Sequence, residues 1–168
     1  MQYLIRLLEK KKAVILKKWL QVIYDSYPAD TSRFLKDESD MFANPVGHAI
    51  SANAEYILDG LIRGEKSAEL SPYIEWIIRI RAVQDFTPAQ AVSFLNSLKT
   101  VIKGQLKPEI HKHNLWDEME QLDAEIDDLS LSAFEIYSNM KEKIHHIRIK
   151  ELEKSERFLQ RLMENRSR

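Results

Sequence analysis

The 168-residue chain contains no cysteine. Disulfides, thiol catalysis and cysteine-ligated metal centres are therefore excluded, and a reducing compartment is compatible with the composition. Glycine is scarce at four residues, and proline numbers five. So few turn formers argue against an all-β sandwich or barrel and against a glycine-rich loop that cradles phosphate. No apolar run approaches the ~20 residues that a membrane-spanning helix needs. The segment Met1 to Lys12 has its lysines after a short apolar patch, the reverse of a secretory signal, so a cytoplasmic location is expected. The net charge of −1 gives no global field that would select nucleic acid.

What is present is hydrophobic periodicity. Hydrophobic residues make up 44% and charged residues 30%, enough for a packed core under a solvated surface. Leu115, Met119, Leu122, Ile126, Leu129, Ala133, Ile136 and Met140 alternate four- and three-residue spacings, and Ile144 and Ile147 continue after one four-four step. This is one narrow stripe on a long helix with a stutter. If continuous from Leu115 to Ile147, it spans roughly 50 Å. No strand-like alternation persists elsewhere.

The prolines mark further helices. Asn44-Pro45, Ser71-Pro72 and Thr87-Pro88 each read as an N-cap followed by the first helical residue. Gln90 completes a capping box with Thr87. Tyr27-Pro28 and Lys107-Pro108 read as helix ends. The expected helices run from Tyr3 to Ser26, from Thr31 or Ser32 through Phe34 and Leu35, and from Pro45 to Gly64. Two more start at Pro72 and Pro88, and the last starts near Asn114. The predicted inner positions include Trp19 on the first helix, Ile50 and Ile57 on the third, and Ile74, Trp76, Ile77, Ile78 and Val83 on the fourth. Residues 1–140 are expected to form a helical sensor or interaction domain, and 141–168 a charged extension of the final helix.

Charge is segregated along the chain. Residues 1–18 carry Arg6, Lys10, Lys11, Lys12, Lys17 and Lys18 against Glu9 alone, while 117–135 carry eight acids and no base. A contact between the two stretches is one expectation; two independent solvated faces is the favoured one. The tail after Met140 mixes nine bases with five acids, which suits i,i+4 pairs on a helix surface better than a phosphate-binding stripe.

Catalytic and metal chemistry is not legible. His111 and His113 lie two apart, and His145 and His146 are adjacent, so neither pair converges on one metal from a helix. The carboxylates from Asp117 to Glu135 follow helix-surface spacing, with nothing to push two pKa values apart. No nucleophile elbow, Walker loop or dinucleotide fingerprint occurs. No catalytic residue, metal ligand or cofactor-binding residue is assigned, no cofactor is expected, and the chain reads as non-enzymatic.

One cluster stands out. Arg79 and Arg81 sit two apart in an otherwise apolar helical segment and cannot share a face. At least one is expected to turn inward toward a carboxylate such as Asp85, Asp40 or Asp59, since buried charges are usually paired. An interior ion pair is the favoured reading; an anion or carboxylate sensor site is the functional one. With Asn44 and His48 at the start of the third helix, Arg79, Arg81 and Asp85 make up the candidate buried polar or ligand cluster.

Several of these segments together resemble a known family. They are Tyr27-Pro28, the run Phe42-Ala43-Asn44-Pro45-Val46-Gly47, the run from Arg79 to Ala91, and the run Asp128 to Tyr137 followed by Arg148 and Glu151. In order and spacing they resemble the RsbT co-antagonist N-terminal domain family, of the RsbRD type, over about residues 15 to 155. The resemblance implies an all-α, globin-like helical bundle that holds no haem, pairs as a homodimer, and relays a signal through its long C-terminal helix. In longer family members that helix leads to a STAS domain of stressosome assemblies. The sequence ends at Arg168, where such a domain would begin, so STAS phosphorylation and stressosome-core packing are not expected of these residues.

The expected function is a non-enzymatic bacterial signalling, sensor or protein-interaction domain. A homodimer seam or relay helix is expected along Leu129, Ala133, Ile136, Met140, Ile144 and Ile147, with an unidentified protein partner at the C-terminal helix and neither nucleic acid nor membrane as partner. The same stripe packing within its own chain is the competing reading. The alternative function is a small-molecule, haem or redox-cofactor carrier. It draws on a resemblance to free-standing versions in anaerobic sulfate-reducing bacteria, with a link to respiratory metabolism. A Soret band would separate the two.

Overall fold

A computed structural model describes residues 2–36, 44–84 and 86–166. Among these the chain is all-α: α1 (Gln2–Asp25), α2 (Ala29–Leu35), α3 (Pro45–Arg63), α4 (Ser67–Val83), α5 (Pro88–His113) and α6 (Trp116–Arg166). The core gathers one apolar face from every helix. α6 packs on α4 and α5, α1 on α5 and α3, and α3 on α4, while α2 bridges α1 and α3. Trp19, Ile50, Ile57, Ile74, Ile77, Ile78 and Leu95 have no exposed surface. Each such side chain stabilises the fold by about 1.5–3 kcal/mol.

Local chemistry sets the helix ends. The Asn44 side chain accepts the Gly47 N–H at 2.9 Å and opens α3. Gly64 closes α3 in the left-handed region at φ 72°, where glycine carries no Cβ penalty. Thr87 and Gln90 cap each other reciprocally at the start of α5. Asn114 ends α5 at φ 52°, and Leu115 alone separates it from α6.

Two proline readings are corrected. α4 starts at Ser67, not Pro72, so Pro72 lies inside the helix. The earlier start places Leu70 in the core with no exposure, and the Glu69 carboxylate accepts the Lys66 N–H at 2.8 Å. Together these offset the ~3 kcal/mol an interior proline costs. Similarly, α5 continues through Pro108 to His113 because Leu106 and Ile110, on either side of it, are both buried. Gly104, whose carbonyl loses its donor at Pro108, is exposed and open to water. Lys11 donates to the next carbonyl, Gln105, at 2.8 Å and ion-pairs with Glu109. α2 also begins earlier than Thr31, directly after Pro28. Trp76 and Val83, expected inside, are 38% and 66% exposed.

α6 is 51 residues long, about 75 Å at 1.5 Å per residue. Leu115, Met119, Leu122, Ile126, Leu129 and Ala133 are buried as the spacing predicts. The next buried residue is Tyr137, not Ile136, so the four-four step falls at Ala133–Tyr137, earlier than the sequence suggests. Ile136, Met140 and Ile144 are partly buried against the core, and from His145 to Glu164 the helix is exposed.

Candidate functional site

Of the two arginines in α4, Arg81 turns inward and Arg79 outward, as their 200° separation on a helix requires. Arg79 is exposed and pairs with Glu75 one turn away at 3.1 Å. Arg81 has no exposed surface. Its Nη1 donates to the Gln90 carbonyl at 2.9 Å, and its Nη2 to the Ser26 hydroxyl at 2.9 Å. Three aromatic rings enclose the guanidinium: Tyr27, Phe86 and Phe94, with centroids 5.2, 5.0 and 5.1 Å from Cζ. Cation–π attraction is strongest at such desolvated sites.

Of the three carboxylates considered for an interior ion pair with Arg81, only Asp59 is described. Among the described residues no carboxylate reaches it; Asp59 instead pairs with Lys12 at 2.8 Å. Asp40 and Asp85 lie outside the described residues. The described site is neutral oxygens and π faces around a cation. Its buried Nε and the adjacent Tyr27 hydroxyl meet no hydrogen-bond geometry, yet the two side chains lie close enough to act on each other electrostatically. Burial pulls the guanidinium pKa below its ordinary value, and the nearby Tyr27 opposes that. Burial likewise pushes the Tyr27 phenol up, with Arg81 opposing. Arginine still remains charged in such surroundings.

Three elements position the site: the end of α1 (Ser26 and Tyr27 follow it), the α4–α5 connection (Phe86) and the first turns of α5 (Gln90, Phe94). A cleft of about 380 Å³ opens over it, lined by Ser26, Tyr27, Pro28, Gln84, Phe86 and Gln90. The Phe86 ring meets Tyr27 edge-on at 5.0 Å, and its carbonyl accepts a hydrogen bond from the buried Tyr137 hydroxyl of α6. The loop that closes the arginine box is therefore tied directly to the long helix.

Asn44 and His48 belong to a different junction. The Asn44 amide donates to the Leu35 carbonyl at 3.0 Å while its oxygen caps α3, and the Tyr24 hydroxyl donates to the Gly47 carbonyl at 3.0 Å. A Cβ on Gly47 would stand 2.6 Å from the Leu35 oxygen, so glycine is what permits this approach. His48 is half-buried, with its Nε2 unpartnered. His111 stacks edge-on with Trp116 and the His113 Nε2 meets the Tyr3 hydroxyl at 3.0 Å. No metal-holding group of His, Asp and Glu occurs among the described residues.

The described ion pairs of the α1 lysines run to α3 and α5. The acids of α6 meet lysines of α5: Asp127 pairs with Lys99 at 2.5 Å, and Asp123 with Lys103. Lys12 of α1 meets Glu55 and Asp59 of α3, which raise its pKa through hydrogen bonds. A groove of about 640 Å³ beside α1 is lined by Lys12, Lys17 and Lys36. Lys12 and Lys36 are already paired, the latter with Asp25 at 2.5 Å.

The sequence picks out Arg79 and Arg81 together without deciding which is buried, and does not show the box. Tyr27 and Phe86 each stand at a helix boundary, and Phe86 precedes the Thr87 cap in the position of a hydrophobic staple. Aromatic residues at the ends flanking an arginine in an apolar helix are the available signal. Tyr137 is missed because Ile136 fits the repeat equally well.

These features define an all-helical module in which the loop beside a buried arginine is hydrogen-bonded to one long helix. The chain belongs to the RsbT co-antagonist protein rsbRD N-terminal domain family, whose match covers residues 13–152. Neither a curated protein nor a solved structure matches it. Family membership makes it a stressosome-type sensory domain. No helix among the described residues is long and apolar enough to cross a membrane.

Proposed function

We propose that this chain is a non-catalytic cytoplasmic sensory domain. Its output leaves through α6, and it works as a homodimer paired along the far half of that helix. The observation that carries the reading is α6 itself. One end is locked in the core, and Tyr137 is bonded to the α4–α5 connection, while the other end presents Ile149, Leu152, Leu159 and Met163, 40%, 71%, 57% and 70% exposed. These four, with Glu156 between them, repeat at alternating three- and four-residue steps, the spacing of a coiled-coil seam. Of the six seam residues expected from sequence, Leu129 and Ala133 are buried in their own chain and serve as the anchor of the relay. Ile136, Met140 and Ile144 line the transition, and Ile147 is 57% exposed. The downstream partner is a protein that binds the charged end of α6.

Analytical ultracentrifugation tests the pairing. The full chain sediments as a dimer at micromolar concentration, and Leu152→Lys with Leu159→Lys converts it to a folded monomer. A wild-type monomer at that concentration rules the pairing out. The interior gives no support to the haem or redox-cofactor alternative: Ile74, Ile77, Ile78 and Arg81 fill the inner side of α4 with no exposed surface.

A further inference from the structure

Burying a cation without a counter-charge is costly, and neutral hydrogen bonds only partly offset it. Among the described residues Arg81 is such a cation, and its hydrogen bonding is unevenly distributed. Nη1 is satisfied by the Gln90 carbonyl, with the Ala91 carbonyl at 3.5 Å. Nε–H and Nη2 share the other edge of the planar guanidinium, the edge whose spacing matches the two oxygens of a carboxylate. On that edge Nε has no partner, and Nη2 has only the Ser26 hydroxyl. Ser26 is also a wall of the 380 Å³ cleft, and its hydroxyl donates to the Ile23 carbonyl at 2.6 Å while it accepts from Nη2. Rotating this one small side chain off Nη2 connects the cleft to an arginine edge that no described residue supplies with an anion.

We propose that this cleft binds a small organic carboxylate. The carboxylate group takes the Nε/Nη2 edge of Arg81, with the adjacent Tyr27 hydroxyl as a further donor. The organic remainder lies in the cleft against Pro28 and the Phe86 ring, with the amides of Gln84 and Gln90 at its polar wall. The volume suits an acid of a few carbons and is small for a nucleotide. The site deepens the sensory reading and rests on it for one consequence only. Phe86 both packs on Arg81 and accepts the Tyr137 hydrogen bond, so a ligand that reorganises the box acts on α6.

The test follows the Arg81 Nε–H resonance by nitrogen-15 NMR while the full chain is titrated with sodium acetate, succinate and benzoate, using sodium chloride and sodium sulfate as controls. The expected result is a saturable shift with at least one carboxylate and none with chloride. Ser26→Ala removes the competing acceptor and tightens binding by up to about tenfold. Arg81→Lys keeps the charge but loses the two-donor edge, and binding disappears. Because Arg81→Lys can also impair folding, Ser26→Ala is the decisive variant. No saturable shift in either wild type or Ser26→Ala overturns the site, as does an equal response to chloride. A response to sulfate equal to that of the carboxylates replaces the carboxylate assignment with a general anion site. Hydrogen exchange around Tyr137 reads the coupling separately. Binding with unchanged exchange there keeps the site and removes the relay, whereas absent binding leaves the dimer measurement to judge the sensory reading.

Discussion

The two halves of α6 are one continuous helix with opposite surroundings. Between Leu115 and Tyr137 a residue every third or fourth position is buried against α4 and α5. From His145 to Glu164 every residue is exposed. The first half has its helical conformation enforced by tertiary packing. The second has only local propensity to hold it, and isolated helices held by local terms are marginal in water. A helix packed against its own domain at one end and exposed at the other has the form the proposed relay requires.

Substitutions that strike one half and spare the other test this contrast most directly. Ile126→Ala, at a fully buried position, costs about 2–5 kcal/mol. Leu152→Ala, 71% exposed, changes the stability of the isolated chain by no more than about 0.5 kcal/mol. Chemical denaturation of both variants at low protein concentration measures the difference, and equal losses would erase the distinction between anchor and arm.

Tyr137→Phe comes next. It removes the hydroxyl that meets the Phe86 carbonyl and leaves that acceptor without its partner, at a cost of about 1–3 kcal/mol. Amide exchange is expected to quicken at residues 86–90 and around position 137 together. Quickening confined to one of them would show that loop and helix are not mechanically joined.

The ion pairs that seam α6 to α5 matter less. Lys103→Ala breaks the contact with Asp123 and costs under about 1 kcal/mol, since surface pairs are screened. Raising the salt concentration should reduce the wild-type stability and narrow the gap to the variant; a gap that survives high salt would mean that the lysine stem, not its charge, packs the joint.

The smallest effect is a pH slope. Burial, with Asp128 nearby, holds the Glu125 carboxyl above its ordinary pKa. Its protonated form is thus favoured in the fold, a contribution fully present below the unfolded-state value and lost as pH rises through the raised folded one. Glu125→Gln should flatten the fall in stability over that interval, and an unchanged slope would place its origin in another group.

Much of this architecture is legible from residue types alone. The Asn44 and Thr87 caps, the Gly64 stop and the buried stripe from Leu115 to Ala133 all follow from local rules, because each involves neighbours within one or two turns. Pro72 and Pro108 mislead for the same reason. Judged by their immediate neighbours they mark a helix start and a helix end, but Leu70 and Ile110 bury enough surface to carry the helices through. The stutter at Tyr137 is equally hidden, since Ile136 and Tyr137 both fit the apolar repeat and only packing between helices decides between them.

Residue order alone makes the chain helical, caps most of its helices and closes it with a long amphipathic one; hydrophobic periodicity and capping are short-range and are written in spacing. It also requires that Arg79 and Arg81 face different ways. Which of them is buried is settled by packing between helices. So is the surrounding of aromatic rings and carbonyls rather than a described carboxylate, and so is the point, past Ile144, where α6 stops packing on its own chain. Those outcomes depend on residues tens of positions apart meeting in space. Ser26 and Arg81 are one such pair, Phe86 and Tyr137 another, and no periodicity along the chain encodes their approach.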